Sequence, residues 1–330
     1  MDTIPEETHT DCFENLKRRI LTLSNEVWDG YPKWSDVENW LSNFNGLTKN
    51  PVEVEQLHAL FILSEFLYFG SRQIRGLLQA MYRDHFIIPL IEKIKNKYHT
   101  RDISEINMYL KKEIELTRFL GIGNPSESGI HLLYYFRQEN DLPSSLFCDI
   151  ATVLTIKEDE NKKLIAELSN PEILRYIFID DMCGTGKTAK TYSEKMLLNI
   201  KKVNENIEFH YLSLFGTSFG INEVKKNTVF KENCTALFEL DDSYKILSND
   251  SRYFANSPKT IKKDIIINII KNYGISIWKE HPHGYEDSQL VLGMHHNIPN
   301  NTIPIIWWEN DNDTWIPIFR RYKKSKGITI

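Results

Sequence analysis

The chain has 330 residues, of which 41% are hydrophobic, 12% aromatic and 26% charged, with a formal net charge of −5. This is ordinary usage for a folded protein of one large or two moderate domains, and it excludes a disordered chain. The acidic balance also removes any overall electrostatic drive toward nucleic acid. One compact basic run, Arg320, Arg321, Lys323, Lys324 and Lys326, reads either as a solvated tail or as a contact for a partner's phosphates.

Cys12, Cys148, Cys183 and Cys234 are far apart and show no paired metal-ligand spacing, which argues against a zinc site or a disulfide framework and for a reducing compartment. The opening MDTIPEETHTD lacks the basic and apolar regions of a signal peptide, and the most apolar stretch, Leu57 to Phe69, is too short to span a bilayer. A cytoplasmic protein with no membrane contact is expected.

In chain order, the first third reads as helix: Phe13 to Val27, Trp34 to Phe44, a run toward Phe69 opened by Asn50, Pro51 and Glu53, then Ile87 to Tyr98 and Ile103 to Glu115. In SRQIRGLLQAMY, residues Ile74, Leu77, Leu78, Met81 and Tyr82 fall on one helical stripe. The spacing predicts a helical domain over 1–115, with Trp28, Trp34, Trp40, Phe61, Phe66 and Tyr68 read as core. After it the pattern turns to short strands between helices: Arg118 to Ile122, the turn-rich GNPSESG, a helix from Ile130, then strands at Tyr176 to Ile179, Ile207 to Phe215 and Thr235 to Leu240. Gln289 to Met294 and Ile303 to Trp308 read as closing strands. Strands alternating with helices predict an α/β domain with a mostly parallel sheet over 116–330.

YIFIDDMCGTGKT, ending at Thr188, carries the chemistry. As a Walker A loop it would place Asp181 where the pattern requires its first glycine, setting a carboxylate against a polyanion. Two like charges 4 Å apart cost about 4 kcal/mol at an effective dielectric of 20, so a nucleotide-hydrolysing P-loop is the weaker reading. In the stronger one the strand ends at Ile179, the carboxylates of Asp180 and Asp181 accept hydrogen bonds from two sugar hydroxyls, and Thr185, Gly186, Lys187 and Thr188 wrap a monophosphate at a helix start.

An apolar strand, two acids and T-G-x-T together resemble the phosphoribosyl diphosphate motif of type I phosphoribosyltransferases. The resemblance implies that Asp180 and Asp181 hold the ribose 2′ and 3′ hydroxyls and that Gly184 to Thr188 hold the 5′-phosphate. Where the hypoxanthine-guanine branch carries a proton-handling aspartate, this chain has Gly184. GNPSESG resembles the diphosphate loop of the same fold, which would bring Ser126, Ser128 and Gly129 to the leaving group; a helix N-cap at either serine is the competing reading.

With DVENWL, SESGIHLLYYFR and HHNIPNNTIPIIWWENDNDTWIPIFRR, the resemblance extends to phosphoribosyltransferase-like proteins of bacterial conflict and anti-phage systems. It implies Mg²⁺ carried with the diphosphate, and partners such as a retron reverse transcriptase or a winged-helix protein with associated nucleic acid. Asn297, Asn300 and Asn301 supply amide donors and acceptors for a base or acceptor molecule, or else form turns with Pro299. His281, His283, His295 and His296 form no metal motif. Three functions remain open: an enzyme acting at ribose C1 as a toxic effector, a nucleotide-sensing module without catalysis, and a P-loop nucleotidase.

Overall fold

The computed structural model describes residues 8–123, 128–158, 160–309 and 315–321. It forms two compact units, one combining Met1–Ile74 with Asp241–Ile330, the other Arg75–Leu240. They are not the consecutive stretches, 1–115 and 116–330, of the sequence reading.

The chain begins with α1 (His9–Glu26), opened by a reciprocal capping box in which the Asp11 N–H donates to Thr8 Oγ1 and the Thr8 N–H to the Asp11 carboxylate. α2 (Trp34–Leu41) and α3 (Val52–Ser64) follow, then a three-residue strand β1 (Leu67–Phe69) that the apolar run concealed.

The second unit is a parallel sheet between helices. α4 (Ser71–Tyr82) enters it and continues through a π turn (Arg83–Ile87) into α5 (Ile88–Tyr98) and α6 (Ile103–Glu115). β2 (Thr117–Gly121), α7 (Ser128–Glu139) and an antiparallel hairpin, β3 (Leu154–Glu158) with β4 (Leu164–Leu168), come next. β5 (Arg175–Cys183) leads to a helical run of α8 (Lys187–Tyr192), a π turn and α9 (Leu198–Val203). β6 (Glu208–Thr217), α10 (Ser218–Asn227) and β7 (Cys234–Leu240) complete the unit. The sheet order is β2-β5-β6-β7, and all three pairings are parallel.

Alternating side chains bury both faces, which is why these strands read as near-continuous apolar runs. Phe119 packs against Phe86 and Phe136 on one face, while Leu120, Phe178 and Phe209 share a core with Leu197, Ile200 and Val224 from the helices on the other. At the amino end of β5, buried Arg175 donates to Thr117 Oγ1 (3.1 Å) and pairs with Glu113 and Glu208 (3.3 and 3.1 Å).

The chain then returns to the first unit as α11 (Lys263–Ile277), β8 (Leu292–Met294) and α12 (Pro304–Trp307). β8 pairs in parallel with β1, and Trp28, Trp40, Phe44, Phe61, Ile266, Ile270 and Tyr273 form the core. The aromatic residues of the first third are therefore packing residues. The expected strand at Ile303 to Trp308 is instead a helical turn: Pro304 occupies its first position, where a fixed φ is preorganised for helix.

Candidate functional site

β5 extends past the expected end at Ile179. Its partner β2 stops at Gly121, opposite Ile179, but β5 continues along β6 with Asp180 beside Ser213 and Cys183 beside Gly216. Both acids therefore lie in the strand's last residues, beyond the end of one neighbour and alongside the other. The carboxyl edge of a parallel α/β sheet is where such folds open their crevices.

Asp180 and Asp181 are buried, 8% and 4% exposed. Asp180 Oδ2 accepts from the Tyr211 hydroxyl at 2.6 Å, and its Oδ1 accepts from the Asp181 N–H at 2.9 Å. Burial, reinforced by the charge of Asp181, pushes the Asp180 carboxyl well above the ordinary aspartate range, against those two donors. The Ser213 hydroxyl, in register with Asp180, is buried without a hydrogen-bond partner among the described residues.

Three residues, Gly184 to Gly186, connect β5 to α8. Gly186 has φ +71°, a left-handed conformation that suits glycine, and an added Cβ would lie 2.9 Å from both the Gly220 carbonyl oxygen and Val224 Cγ2. Thr185 is half-buried, whereas Lys187 and Thr188 are exposed in the first turn of α8. The helical run they open leaves its first N–H groups outside the i→i−4 ladder. Cys183 is buried, and burial, with Cys234 and Asp180 nearby, pushes its thiol up strongly, so it is a packing residue and not a nucleophile.

The pairing of β2 with β5 brings the segments that follow the two strands to the same sheet edge. Ser128 and Gly129 begin α7 there, while Ser126 lies outside the described residues. Asn297, Asn300 and Asn301 belong to the other unit. The Asn301 amide donates to Ser288 Oγ at 2.8 Å, the Asn300 carbonyl accepts from the Tyr285 N–H, and Asn297 closes a tight turn with Met294.

Among the described residues no three His, Cys, Asp or Glu side chains gather as a metal cage. Asp180 and Asp181 meet the small carboxylate requirement of Mg²⁺, which takes only one or two carboxylates from a protein. His283 Nδ1 meets Asp287 Oδ1 at 2.8 Å, and the Glu286 N–H reaches His281 Nδ1 at 3.4 Å, so both serve local turns. Asp241 caps a turn at Ser243, and Asp242 pairs with Lys245.

Sequence reasoning missed Tyr211 and Thr217. Tyr211 reads as one more apolar strand residue, and Thr217 falls beyond the expected end of its strand. Each meets the site only through the β5–β6 register, a pairing across about thirty residues that no local pattern encodes.

A four-stranded parallel sheet with paired acids and a glycine turn at its carboxyl edge defines an α/β protein of the phosphoribosyltransferase-like class. A family model described as PRTase-CE matches residues 37–321, and the chain belongs to that family. Among solved structures it is similar to the Helicobacter pylori xanthine-guanine-hypoxanthine phosphoribosyltransferase, with 14% identity over 41% of this chain and 83% of that one and a TM-score of 0.22. No curated protein matches the sequence.

Proposed function

We propose that the protein binds phosphoribosyl diphosphate, or a related ribosyl phosphate, at the carboxyl edge of β5. The observation that carries this reading is the position of Asp180 and Asp181, past the end of β2 and in the last residues of a strand that a three-residue turn joins to a helix. Asp181 and Asp180 are assigned to the ribose hydroxyls and Gly184 to Thr188 to the 5′-phosphate. Ser128 and Gly129, with Ser126, are assigned to the diphosphate. Mg²⁺, when bound with the ligand, would neutralise charge on the leaving diphosphate. The residues' own contribution is positioning, together with backbone donors held where negative charge develops. Gly184 offers no carboxylate to a purine, so the acceptor is not assigned to that class.

The P-loop reading is weaker on geometry. Asp181, at its first glycine position, is still within β5, and only Gly184 to Gly186 separate strand from helix. A second reading keeps the site but uses it to sense a nucleotide. The burial of Asp180 against Tyr211 favours it, because that carboxyl is engaged within the protein.

The distinction is made by incubating the protein with Mg²⁺ and phosphoribosyl diphosphate and following release of diphosphate. Release that disappears in Asp181→Asn supports an enzyme; saturable binding without release supports the sensor. ATP hydrolysis with neither would contradict both. An anti-phage role, with a reverse transcriptase or winged-helix partner and nucleic acid, rests on the sequence resemblance alone. Partners and nucleic acid that copurify from the native host test it.

A further inference from the structure

Thr217 ends β6 and caps α10, with its Oγ1 accepting from the Gly220 N–H at 2.9 Å. The same hydroxyl donates its single proton to the carbonyl oxygen of Gly184, in the loop assigned to the phosphate. A hydroxyl can accept and donate at once, whereas a carboxylate can only accept. The Gly184–Thr185 peptide is planar and trans, so a carbonyl directed at Thr217 turns the Thr185 N–H the opposite way. The side of the loop facing α10 thereby receives the acceptor, and the opposite side receives the donor.

The backbone fit around this bond is close on both chains. A Cβ at Gly220 would press on the Gly184 carbonyl oxygen and lie 2.8 Å from that of Cys183, and a Cβ at Gly186 would lie 2.9 Å from the Gly220 carbonyl oxygen. Side chains at either glycine would separate the loop from the cap. Thr217 is itself only 9% exposed, so water has little access to replace the bond.

We infer that Thr217 is a positioning residue: by holding the Gly184 carbonyl toward α10, it fixes the Thr185 N–H as a donor to the ligand's phosphate. The inference rests on the reading that this loop receives the 5′-phosphate. Without the hydroxyl the peptide is released to rotate, and in the flipped orientation a carbonyl oxygen faces the anion.

The test is ¹H–¹⁵N NMR of the full chain, following the Thr185 amide during titration with phosphoribosyl diphosphate plus Mg²⁺ and, separately, with inorganic phosphate. In wild type and Thr217→Ser the amide resonance should shift to saturation at similar ligand concentrations. In Thr217→Val half-saturation should require at least ~10-fold more ligand. Gly220→Ala keeps the hydroxyl but displaces the carbonyl, and should weaken binding in the same direction, which keeps the test decisive if the valine variant does not fold. Unchanged saturation in Thr217→Val or Gly220→Ala would overturn the inference while leaving the proposed ligand in place. If wild type responds to inorganic phosphate alone and Thr217→Val weakens that response, the positioning role stands and the ribosyl diphosphate reading falls. No response of Thr185 to either ligand in wild type overturns both.

Discussion

Asp180 shows how a single residue is placed under tension by its surroundings. Burial and the neighbouring Asp181 raise its carboxyl well above the ordinary range, so the folded state holds the proton more tightly than the unfolded chain does. Folding stability from this group is therefore fully present below the unfolded value of about 3.9, and declines as pH rises toward the raised one. Asp180→Asn has no such dependence. Its melting temperature should exceed that of wild type at neutral pH, by several degrees for each kcal/mol of relief in a domain of this size class. The advantage should shrink as pH falls toward 4. Thermal melts across that window check this, and an advantage that grows in acid would contradict it. The two acids themselves are legible in the sequence, because charge at the end of an apolar strand is conspicuous. The Tyr211 hydroxyl that bonds Asp180 is not.

At the scale of elements, the strand-turn-helix unit from β5 to α8 depends on Gly186. Its left-handed backbone and its closeness to α10 leave no room for a side chain. Gly186→Ala should cost about 1 kcal/mol from backbone conformation, plus 1–3 kcal/mol from overpacking. It should also abolish phosphate binding, because relief of the clash moves the loop. Chemical denaturation together with ligand titration measures both effects, and a fully stable variant with wild-type affinity would contradict the account. Elements with long periodic patterns were legible: SRQIRGLLQAMY is α4 in full, and Ile103 to Glu115 is α6 in full. Elements set by partners were not. β1 is three residues long and exists through pairing with β8, β3 and β4 carry exposed Ile156 and Leu164 that blur the alternation, and Pro304 turns an expected strand into α12.

At the scale of the whole molecule, the first unit is assembled from the two ends of the chain. Glu55 in α3 is central to that assembly: its carboxylate accepts from the Gly46 and Thr48 N–H groups at 2.8 and 2.7 Å, and from the hydroxyls of Thr48 and of Tyr273 in α11. Burial acts to raise its pKa, but these donors outweigh burial and the net shift is downward. The stability this gives is present above the ordinary carboxylate range and lost as pH falls through the lowered value. Glu55→Gln should cost about 1.5–3 kcal/mol at neutral pH, the range for hydrogen bonds to charged groups, with the gap from wild type closing in acid. Melts at neutral and acid pH check this; a gap independent of pH would refute the charge-assisted role. The helical content of residues 1–115 was legible from periodicity. Its division was not, because bonds such as Glu55 to Tyr273 and His58 to Lys262 join segments more than two hundred residues apart.

The carboxyl edge of β5 is proposed to hold a ribosyl phosphate through Asp180, Asp181 and the glycine turn. Calorimetric titration of phosphoribosyl diphosphate with Mg²⁺, into wild type and the Asp180→Asn/Asp181→Asn double variant with ATP as competitor, tests it most directly. Saturable binding to wild type that ATP does not displace is expected, reduced at least ~100-fold in the double variant by loss of both carboxyl acceptors. Equal binding by both proteins, or binding of ATP alone, would contradict it.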